Sequence, residues 1–169
     1  EAVAFLKEKN ISVVMLSGDK RAICEKVAQE LGITEIYAEQ LPQEKLRLIE
    51  QFAAEMPTAM VGDGVNDAPA LARASVGVSL GQATDAARQS AQIILTQGRL
   101  GLLPELYQIS RHTVLTIRQN LFWAFFYNVI SIPLAAVGFL RPILGTLTMA
   151  LSDVVVVGNS LRLKTKRLR

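Results

Sequence analysis

Hydrophobic and polar positions follow two different patterns along this chain of 169 residues. In the first part, short apolar runs rich in β-branched residues predict strands at residues 11–16, 36–38, 58–61, 76–80 and 93–95. Between them, apolar residues at helical spacing predict helices at residues 2–9, 21–31, 42–55, 66–74 and 84–90. This alternation of helices and strands indicates an α/β domain, with a parallel sheet that carries helices on both faces.

The pattern changes after residue 100, where the apolar runs become longer. Residues 102–117 have the spacing of an amphipathic helix. Residues 119–140 contain no charged side chain, and residues 142–161 contain one, Asp153. As a helix, each run is long enough to cross a hydrocarbon core of about 30 Å. The break at Arg141 and Pro142 therefore predicts a two-helix transmembrane hairpin, with a pair of buried core helices as the alternative.

Charge and cysteine content add to this prediction. The net charge is +3, and basic residues flank both outer ends of the apolar runs, from Arg118 on one side and from Arg162 on the other. By the positive-inside rule, residues 1–117 and the C-terminus should lie in the cytoplasm, next to membrane lipid rather than nucleic acid. The single cysteine, Cys24, excludes an internal disulfide and a zinc site built from cysteines alone.

Polar loops follow two of the predicted strands, at the edge where ligands bind in open α/β sheets. Ser17 and Asp19 follow the first strand, and Asp63 and Asp67 follow the third. Paired carboxylates suit a hard cation such as Mg²⁺. Ser17 adds a hydroxyl donor, and Lys45, in the first turn of an intervening helix, adds a positive charge for a phosphoryl oxygen.

Glycines in the same loops would let the backbone approach a phosphate closely. Gly18 lies in the first loop, and Gly62 and Gly64 lie in the second, where their neighbours' N–H groups could bind phosphate oxygens. A single Asp after a strand is usually a turn former or helix cap, and a single Lys is usually solvated. The density of Gly and Asp at residues 62–67 nevertheless favours a phosphate and magnesium site. Since no nucleophile is evident nearby, we expect half of such a site.

Three motifs along the chain resemble those of P-type ATPases, and more narrowly those of the heavy-metal branch, and they occur in the same order as in that family. GDGVNDAPAL at residues 62–71 is similar to that superfamily's hinge motif in complete form. SGD at residues 17–19 resembles the TGD motif, with Ser in place of Thr, and PQEK at residues 42–45 resembles the PxxK element. The resemblance covers essentially the whole chain.

The resemblance implies a haloacid-dehalogenase-like phosphorylation domain that uses ATP and Mg²⁺. An upstream aspartate in a DKTGT motif would accept the γ-phosphate of ATP. Asp63 and Asp67 would bind Mg²⁺, and Gly62 and Gly64 would bind the cofactors through their backbone. The implied catalytic residues are Ser17, Gly18, Asp19, Lys45, Asn66 and Asp67.

The resemblance also implies how the chain is organised. Its parts would be the C-terminal part of a cytoplasmic phosphorylation domain (1–98), a stalk (99–117), two spans (118–140 and 142–163) and a basic tail (164–169). DKTGT and the nucleotide-binding domain, which would hold most of the ATP, do not occur in these residues. We therefore expect the C-terminal portion of a pump, inactive without its N-terminal part. A metallochaperone is a further expected partner.

Polar residues inside the predicted spans are candidates for binding the transported ion, because they are costly in lipid and usually functional. The first span carries Tyr127 and Asn128, and the second carries Met149, Ser152 and Asp153. A thioether prefers Cu(I). The alternatives are ordinary packing for Met149 and interhelical hydrogen bonds for Tyr127 and Asn128.

Copper-type members carry YN in the first of these spans and MxxSS in the second, followed by an ending similar to NSLRL at residues 159–163. Asp153 departs from that pattern, because a carboxylate replaces the second Ser and would favour a harder ion. The Lys and Asp of the zinc-type branch are not present at the corresponding positions. The resemblance thus implies a Cu(I) pump. A zinc, cadmium or cobalt pump and a haloacid-dehalogenase-like phosphatase are the alternatives.

Overall fold

Helices and strands alternate through the first of two units, Glu1–Pro104 and Glu105–Arg169, into which the chain divides. The computed structural model describes residues 1–63, 65–81, 83–138 and 142–165. The strands are β1 (Val14–Leu16), β2 (Glu35–Tyr37), β3 (Ala59–Gly62), β4 (Val76–Leu80) and β5 (Ile93–Leu95). The helices of this unit are α1 (Ala2–Glu8), α2 (Arg21–Leu31), α3 (Pro42–Glu55), α4 (Ala68–Arg73) and α5 (Asp85–Ser90). Short 3₁₀ turns lie at Val65–Asp67 and Leu100–Leu102.

All strand pairs in the described residues are parallel, as the sequence predicts. β1 pairs with β2, with Val14 opposite Glu35. A second group has the order β3–β4–β5, with Val78 of β4 opposite Val61 and Ile93. The predicted single sheet is thus present as two hydrogen-bonded groups. They share a core through side chains, because Leu16 of β1 packs against the cluster that contains Met60 of β3.

β1 begins three residues later than predicted because the chain first has to end α1. Asn10 adopts a left-handed conformation with φ +57°. The N–H of Ile11 donates to the carbonyl of Leu6 at 3.0 Å, so Ile11 belongs to the turn and is 37% exposed. Hydrophobicity alone cannot distinguish such a turn residue from the start of a strand.

Local signals correctly located the ends of two helices. Gly32 ends α2 in the left-handed conformation, with φ +70°, which a residue without Cβ adopts at little cost. Pro42 is the first residue of α3, where its missing N–H has no helical partner to lose.

Tyr37, the last residue of β2, donates a hydrogen bond from its hydroxyl to the carboxylate of Glu35 at 3.0 Å. This hydrogen bond to a carboxylate raises the pKa of the Tyr37 hydroxyl.

The buried core lies where α3, α4 and α5 meet β3 and β4. Its cluster consists of Ile49, Met60, Ala70, Leu71, Ala74 and Ala87. Small side chains let the elements approach closely: a Cβ at Gly77 of β4 would lie 2.5 Å from the carbonyl oxygen of Leu71. This packing holds the loop that joins β3 to α4 between buried elements.

The second unit consists mainly of α6 (Leu103–Ala136) and α7 (Pro142–Thr165). These helices lie where the sequence predicts the stalk and the two spans, with the stalk and first span in one continuous helix. Hydrogen bonds join Asn120 to Ser160 and Tyr127 to Gly145, so the two helices run antiparallel. The predicted turn at Arg141 and residues 166–169 of the predicted tail lie outside the described residues.

No helix in the part of the chain that the structure describes combines the length and the apolar character that crossing a membrane requires.

Candidate functional site

The loop after β1 is held by the loop that follows β2. Within it, Ser17 Oγ donates to Asp19 Oδ2 at 2.9 Å, and the N–H of Asp19 donates back to Ser17 Oγ at 3.2 Å. The N–H groups of Glu39 and Gln40 donate to the carbonyls of Asp19 and Ser17, at 2.9 and 3.0 Å. A Cβ at Gly18 would lie 3.3 Å from the carbonyl oxygen of Gln40, which explains why a glycine suits this position.

Lys45 and Asp67 form an ion pair that joins α3 to the loop after β3. Lys45 Nζ lies 2.8 Å from Asp67 Oδ1, and the two side chains are only 13% and 15% exposed. Lys45 is directed there from the first turn of α3, whose start is fixed by a hydrogen bond from the N–H of Leu41 to Glu44 Oε2 at 2.7 Å. An ammonium group has three donors, so two remain for another acceptor.

The loop after β3 leaves further polar groups open to solvent. Asp63 and Asn66 are exposed, and neither side chain has a hydrogen-bond partner within the described residues. The backbone of Asp63 is anchored, because its carbonyl accepts the N–H of Thr84 at 3.2 Å. Thr84 also caps α5 by accepting from the N–H of Ala87 at 3.4 Å. Gly64, the other glycine predicted for this loop, lies outside the described residues.

Gly62 is the position where this loop is tightest. A Cβ there would lie 3.0 Å from Asp67 Cβ and 3.2 Å from Asp67 Oδ2. A side chain at residue 62 would therefore push Asp67 away from its place beside Lys45. The predicted cofactor role of Gly62 remains a prediction, whereas its role in making room for Asp67 is a property of the structure.

The donor set fits Mg²⁺ as part of a site rather than as a closed cage. Within residues 1–63, 65–81, 83–138 and 142–165, no three His, Cys, Asp or Glu side chains come together to hold a metal ion. Mg²⁺ is commonly bound by one or two carboxylates together with phosphate oxygens and water. Asp63 and Asp67 supply two such oxygen donors on one short loop.

The polar residues predicted to bind an ion in the hairpin have separate environments. Tyr127 is half-buried, and its hydroxyl donates to the carbonyl of Gly145 at 3.2 Å, whereas Asn128 donates to Ala124 of its own helix at 2.9 Å. Met149 is 62% exposed, Asp153 is also exposed, and Ser152 is partly buried. Among the described residues, Met149 and Asp153 have no hydrogen-bond partner. Of the described hydrogen bonds that these five residues make, the one from Tyr127 reaches the opposite helix.

Sequence reasoning missed the residues that hold the site through their backbone. Glu39, Gln40 and Thr84 bind the two loops with main-chain N–H groups, which leave no signature in side-chain type. The positive φ of Glu39, +60°, would have been equally hard to find, because that conformation favours glycine or asparagine.

The chain is similar to a known protein family and to known proteins over the residues that contain these motifs. A family model described as haloacid dehalogenase-like hydrolase matches residues 1–75. The chain is 47% identical over 168 residues to a copper-exporting P-type ATPase of Staphylococcus saprophyticus, and 48% identical over 165 residues to one of Bacillus subtilis. These alignments cover 99% and 97% of this chain.

This chain is a homologue of the P-type ATPases. The resemblance inferred from SGD, PQEK and GDGVNDAPAL is therefore confirmed. This chain spans about a fifth (21%) of the length of each of the two curated relatives. Among solved structures, it matches a zinc-transporting PIB-type ATPase in the E2.Pi state with a TM-score of 0.91 and 34% identity. That match covers 96% of this chain and 27% of the other.

Proposed function

We propose that this chain is the C-terminal portion of an ATP-driven heavy-metal pump whose cargo is Cu(I). The observation that carries the proposal is the Lys45–Asp67 pair at 2.8 Å, since it joins the PQEK and GDGVNDAPAL motifs, 22 residues apart, in one site. The names of the curated relatives supply the class of cargo. Phosphorylation of an aspartate in the rest of the pump would drive transport.

Each described loop has a task in this proposal. Lys45 keeps one donor on Asp67 and directs the other two to oxygens of the transferred phosphoryl group. Asp63 and Asp67 hold Mg²⁺, which would neutralise charge on that group. The Ser17 hydroxyl turns from Asp19 to a phosphoryl oxygen. Asn66, exposed on the same turn, orders the metal and phosphate.

The remaining residues of the two loops keep other groups in position. Gly18 and Gly62 keep room for the backbone and for Asp67, and Asp19 orients its loop towards the nucleotide-binding domain. The nucleophilic aspartate and most contacts to ATP come from the N-terminal part of the pump. We therefore propose that these 169 residues do not hydrolyse ATP alone.

For the second unit, we propose from the sequence that residues 118–140 and 142–163 span the membrane, with residues 1–117 and the C-terminus in the cytoplasm. The uncharged run at residues 119–140 and the basic residues beyond both outer ends support this arrangement. Tyr127, Asn128 and Met149 would bind the transported ion, with Ser152 and Asp153 as further ligands. A metallochaperone would deliver the ion to the complete pump.

A second candidate cargo, a divalent ion such as Zn²⁺, is favoured by two observations. Asp153 provides a carboxylate where the copper pattern has a hydroxyl, and harder oxygen ligands favour divalent cations over Cu(I). The solved structure with a TM-score of 0.91 is described as zinc-transporting. The soft thioether of Met149 argues for Cu(I).

A panel of metal ions tests the cargo. In the complete pump, we expect Cu(I) to stimulate ATP hydrolysis more than Zn²⁺, Cd²⁺ or Co²⁺. Asp153→Ser should preserve stimulation by Cu(I) and abolish any residual stimulation by Zn²⁺, because it removes the carboxylate. ATP hydrolysis measured against free metal concentration gives both results. Stronger stimulation by Zn²⁺ than by Cu(I) in the unsubstituted pump would assign the cargo to the divalent class.

Gly62→Ala tests the geometry of the phosphoryl site. The added methyl group would lie 3.0 Å from Asp67 Cβ, so Asp67 and its bond to Lys45 must shift. Because displacements of about 1 Å can cost roughly 100-fold in rate, we expect phosphorylation by ATP to slow by about 10- to 100-fold. Rapid-quench measurement of phosphorylated protein gives the rate. Gly101→Ala is the matched control, because nothing lies within 4 Å of its added Cβ, and equal slowing in both variants would contradict the prediction.

A further inference from the structure

Four polar side chains join α6 to α7 at the end of the hairpin nearer Arg118 and Arg162. We call this group, Gln119, Asn120, Asn159 and Ser160, the amide clamp. Asn159 Nδ2 donates to Asn120 Oδ1 at 2.9 Å and to Gln119 Oε1 at 3.2 Å. Asn120 Nδ2 donates to Ser160 Oγ at 2.9 Å.

Hydrogen bonds run in both directions between the two helices, and each one pairs a donor with an acceptor. Both N–H bonds of the Asn159 amide are used, one for each acceptor on α6. Asn120 accepts from Asn159 and donates to Ser160, whose hydroxyl donates in turn to the carbonyl of Val156 at 2.8 Å. Turning over the Asn159 or Asn120 amide would place donor against donor or acceptor against acceptor. The arrangement of the two helices in the structure therefore satisfies the whole group.

Exposed apolar residues flank the clamp in sequence on both helices. Leu121, Phe122 and Leu161, next to it in sequence, are all exposed. Apolar faces pack in several registers at similar free energy, whereas interhelical amide bonds select one. Asn120 and Asn159 are only partly exposed, so water competes less for their hydrogen bonds.

Helical geometry relates the clamp to the candidate ion ligands. Tyr127 lies seven residues after Asn120, which is about two turns along the same face of α6. Ser152 likewise lies seven residues before Asn159 on α7. The bond from Tyr127 to the carbonyl of Gly145 agrees with this shared face, because it also joins α6 to α7. Whatever fixes the register at the clamp thus fixes it for these residues.

We propose that Asn159 is a positioning residue for the transported cation, and this rests on the ion site proposed above. Through Asn120 and Gln119, it sets the rotation and depth of α6 against α7. It thereby decides where Tyr127 and Asn128 stand relative to Met149. Asn159 does not touch the ion itself.

Cross-linking tests the geometry of the clamp without any transport assay. In the full chain with Cys24→Ala, reconstituted in lipid, Asn120→Cys combined with Ser160→Cys should form an intramolecular disulfide under mild oxidation. The control pair, Thr113→Cys with Ser160→Cys, should not, because residue 113 lies about two turns away along α6. A clamp pair that fails to cross-link, or a control pair that does so equally well, would overturn the register.

Metal affinity tests the positioning role in the complete pump. Asn159→Leu removes both donors, and we expect the half-maximal Cu(I) concentration for ATPase stimulation to rise about three- to tenfold. Phosphorylation by inorganic phosphate should be unchanged, and Asn159→Gln should restore most of the affinity because it keeps the amide. Thr113→Val is the control, since within the described residues that hydroxyl donates to the carbonyl of Ile109 in its own helix.

The outcomes separate this inference from the proposed function. An unchanged half-maximal concentration in Asn159→Leu would overturn the positioning role. If Asn159→Leu does not accumulate in the membrane, Gln119→Leu, which removes one acceptor, decides by the same measurement. If Cu(I) does not stimulate the complete pump at all, the proposal that Cu(I) is the transported ion is wrong. The cross-link would still decide the geometry of the clamp.

Discussion

Replacing Lys45 by methionine should slow phosphorylation of the complete pump about 100- to 1,000-fold, the usual effect of removing a preorganised electrostatic group. Lys45 Nζ is 2.8 Å from Asp67 and has two further donors, which we propose bind the phosphoryl group. Without it, a largely buried carboxylate loses its partner and repels the incoming phosphate. The rate of phosphoenzyme formation from ATP measures the effect.

Two variants control for charge and for folding. Lys45→Arg keeps the charge but replaces a point donor by a planar fork, so we expect only partial recovery. Arg73→Ala removes the exposed ion pair with Glu50 at 3.3 Å and should leave the rate unchanged, because surface pairs contribute about 0–1 kcal/mol. A folded Lys45→Met pump that phosphorylates within about threefold of the original rate would contradict the electrostatic role derived for this residue.

Met149→Ala should abolish metal-stimulated ATP hydrolysis while leaving phosphorylation by inorganic phosphate intact. The thioether is a soft ligand suited to Cu(I), and its side chain is 62% exposed on α7, available to a ligand. In the proposed mechanism, phosphorylation by inorganic phosphate depends on Lys45, Asp63 and Asp67 in the other unit, so it should not depend on Met149. Parallel assays of both activities on one preparation separate the two effects.

Met149→Leu distinguishes ligation from packing, because leucine keeps the volume and lacks the sulfur. We expect Met149→Leu to be as inactive as Met149→Ala. Val154→Ala, at a residue on the same helix that is 69% exposed, should keep its metal stimulation. Full activation of Met149→Leu by Cu(I) would remove Met149 from the ion site and assign it to ordinary packing.

Much of the first unit could be predicted because its signals are local. The short β-branched runs, the glycine after α2 and the proline at the start of α3 act on neighbouring residues, and the helices and strands form close to the expected places. The error at β1 is of the opposite kind. Ile11 looks like a strand residue, but a hydrogen bond to Leu6 draws it into the turn that ends α1.

The chemistry of the candidate site was visible in residue type and spacing, whereas its supports were not. Asp63 and Asp67 lie four residues apart on one loop, so their proximity follows from the sequence. The main-chain hydrogen bonds from Glu39 and Gln40 to the loop of Ser17 depend on how β2 and the loop after it pack beside β1. Main-chain donors are the same for every residue but proline, so composition cannot reveal them.

The sequence by itself determined the order of helices and strands, the motifs and the resemblance to P-type ATPases. It could do so because periodicity, turn residues and motif spacing act over short distances. Only the tertiary structure decided which distant groups meet. It pairs Lys45 with Asp67 over 22 residues and Asn120 with Ser160 over 40. These pairings depend on the packing of whole faces against each other, and many registers of an apolar face satisfy the same sequence pattern.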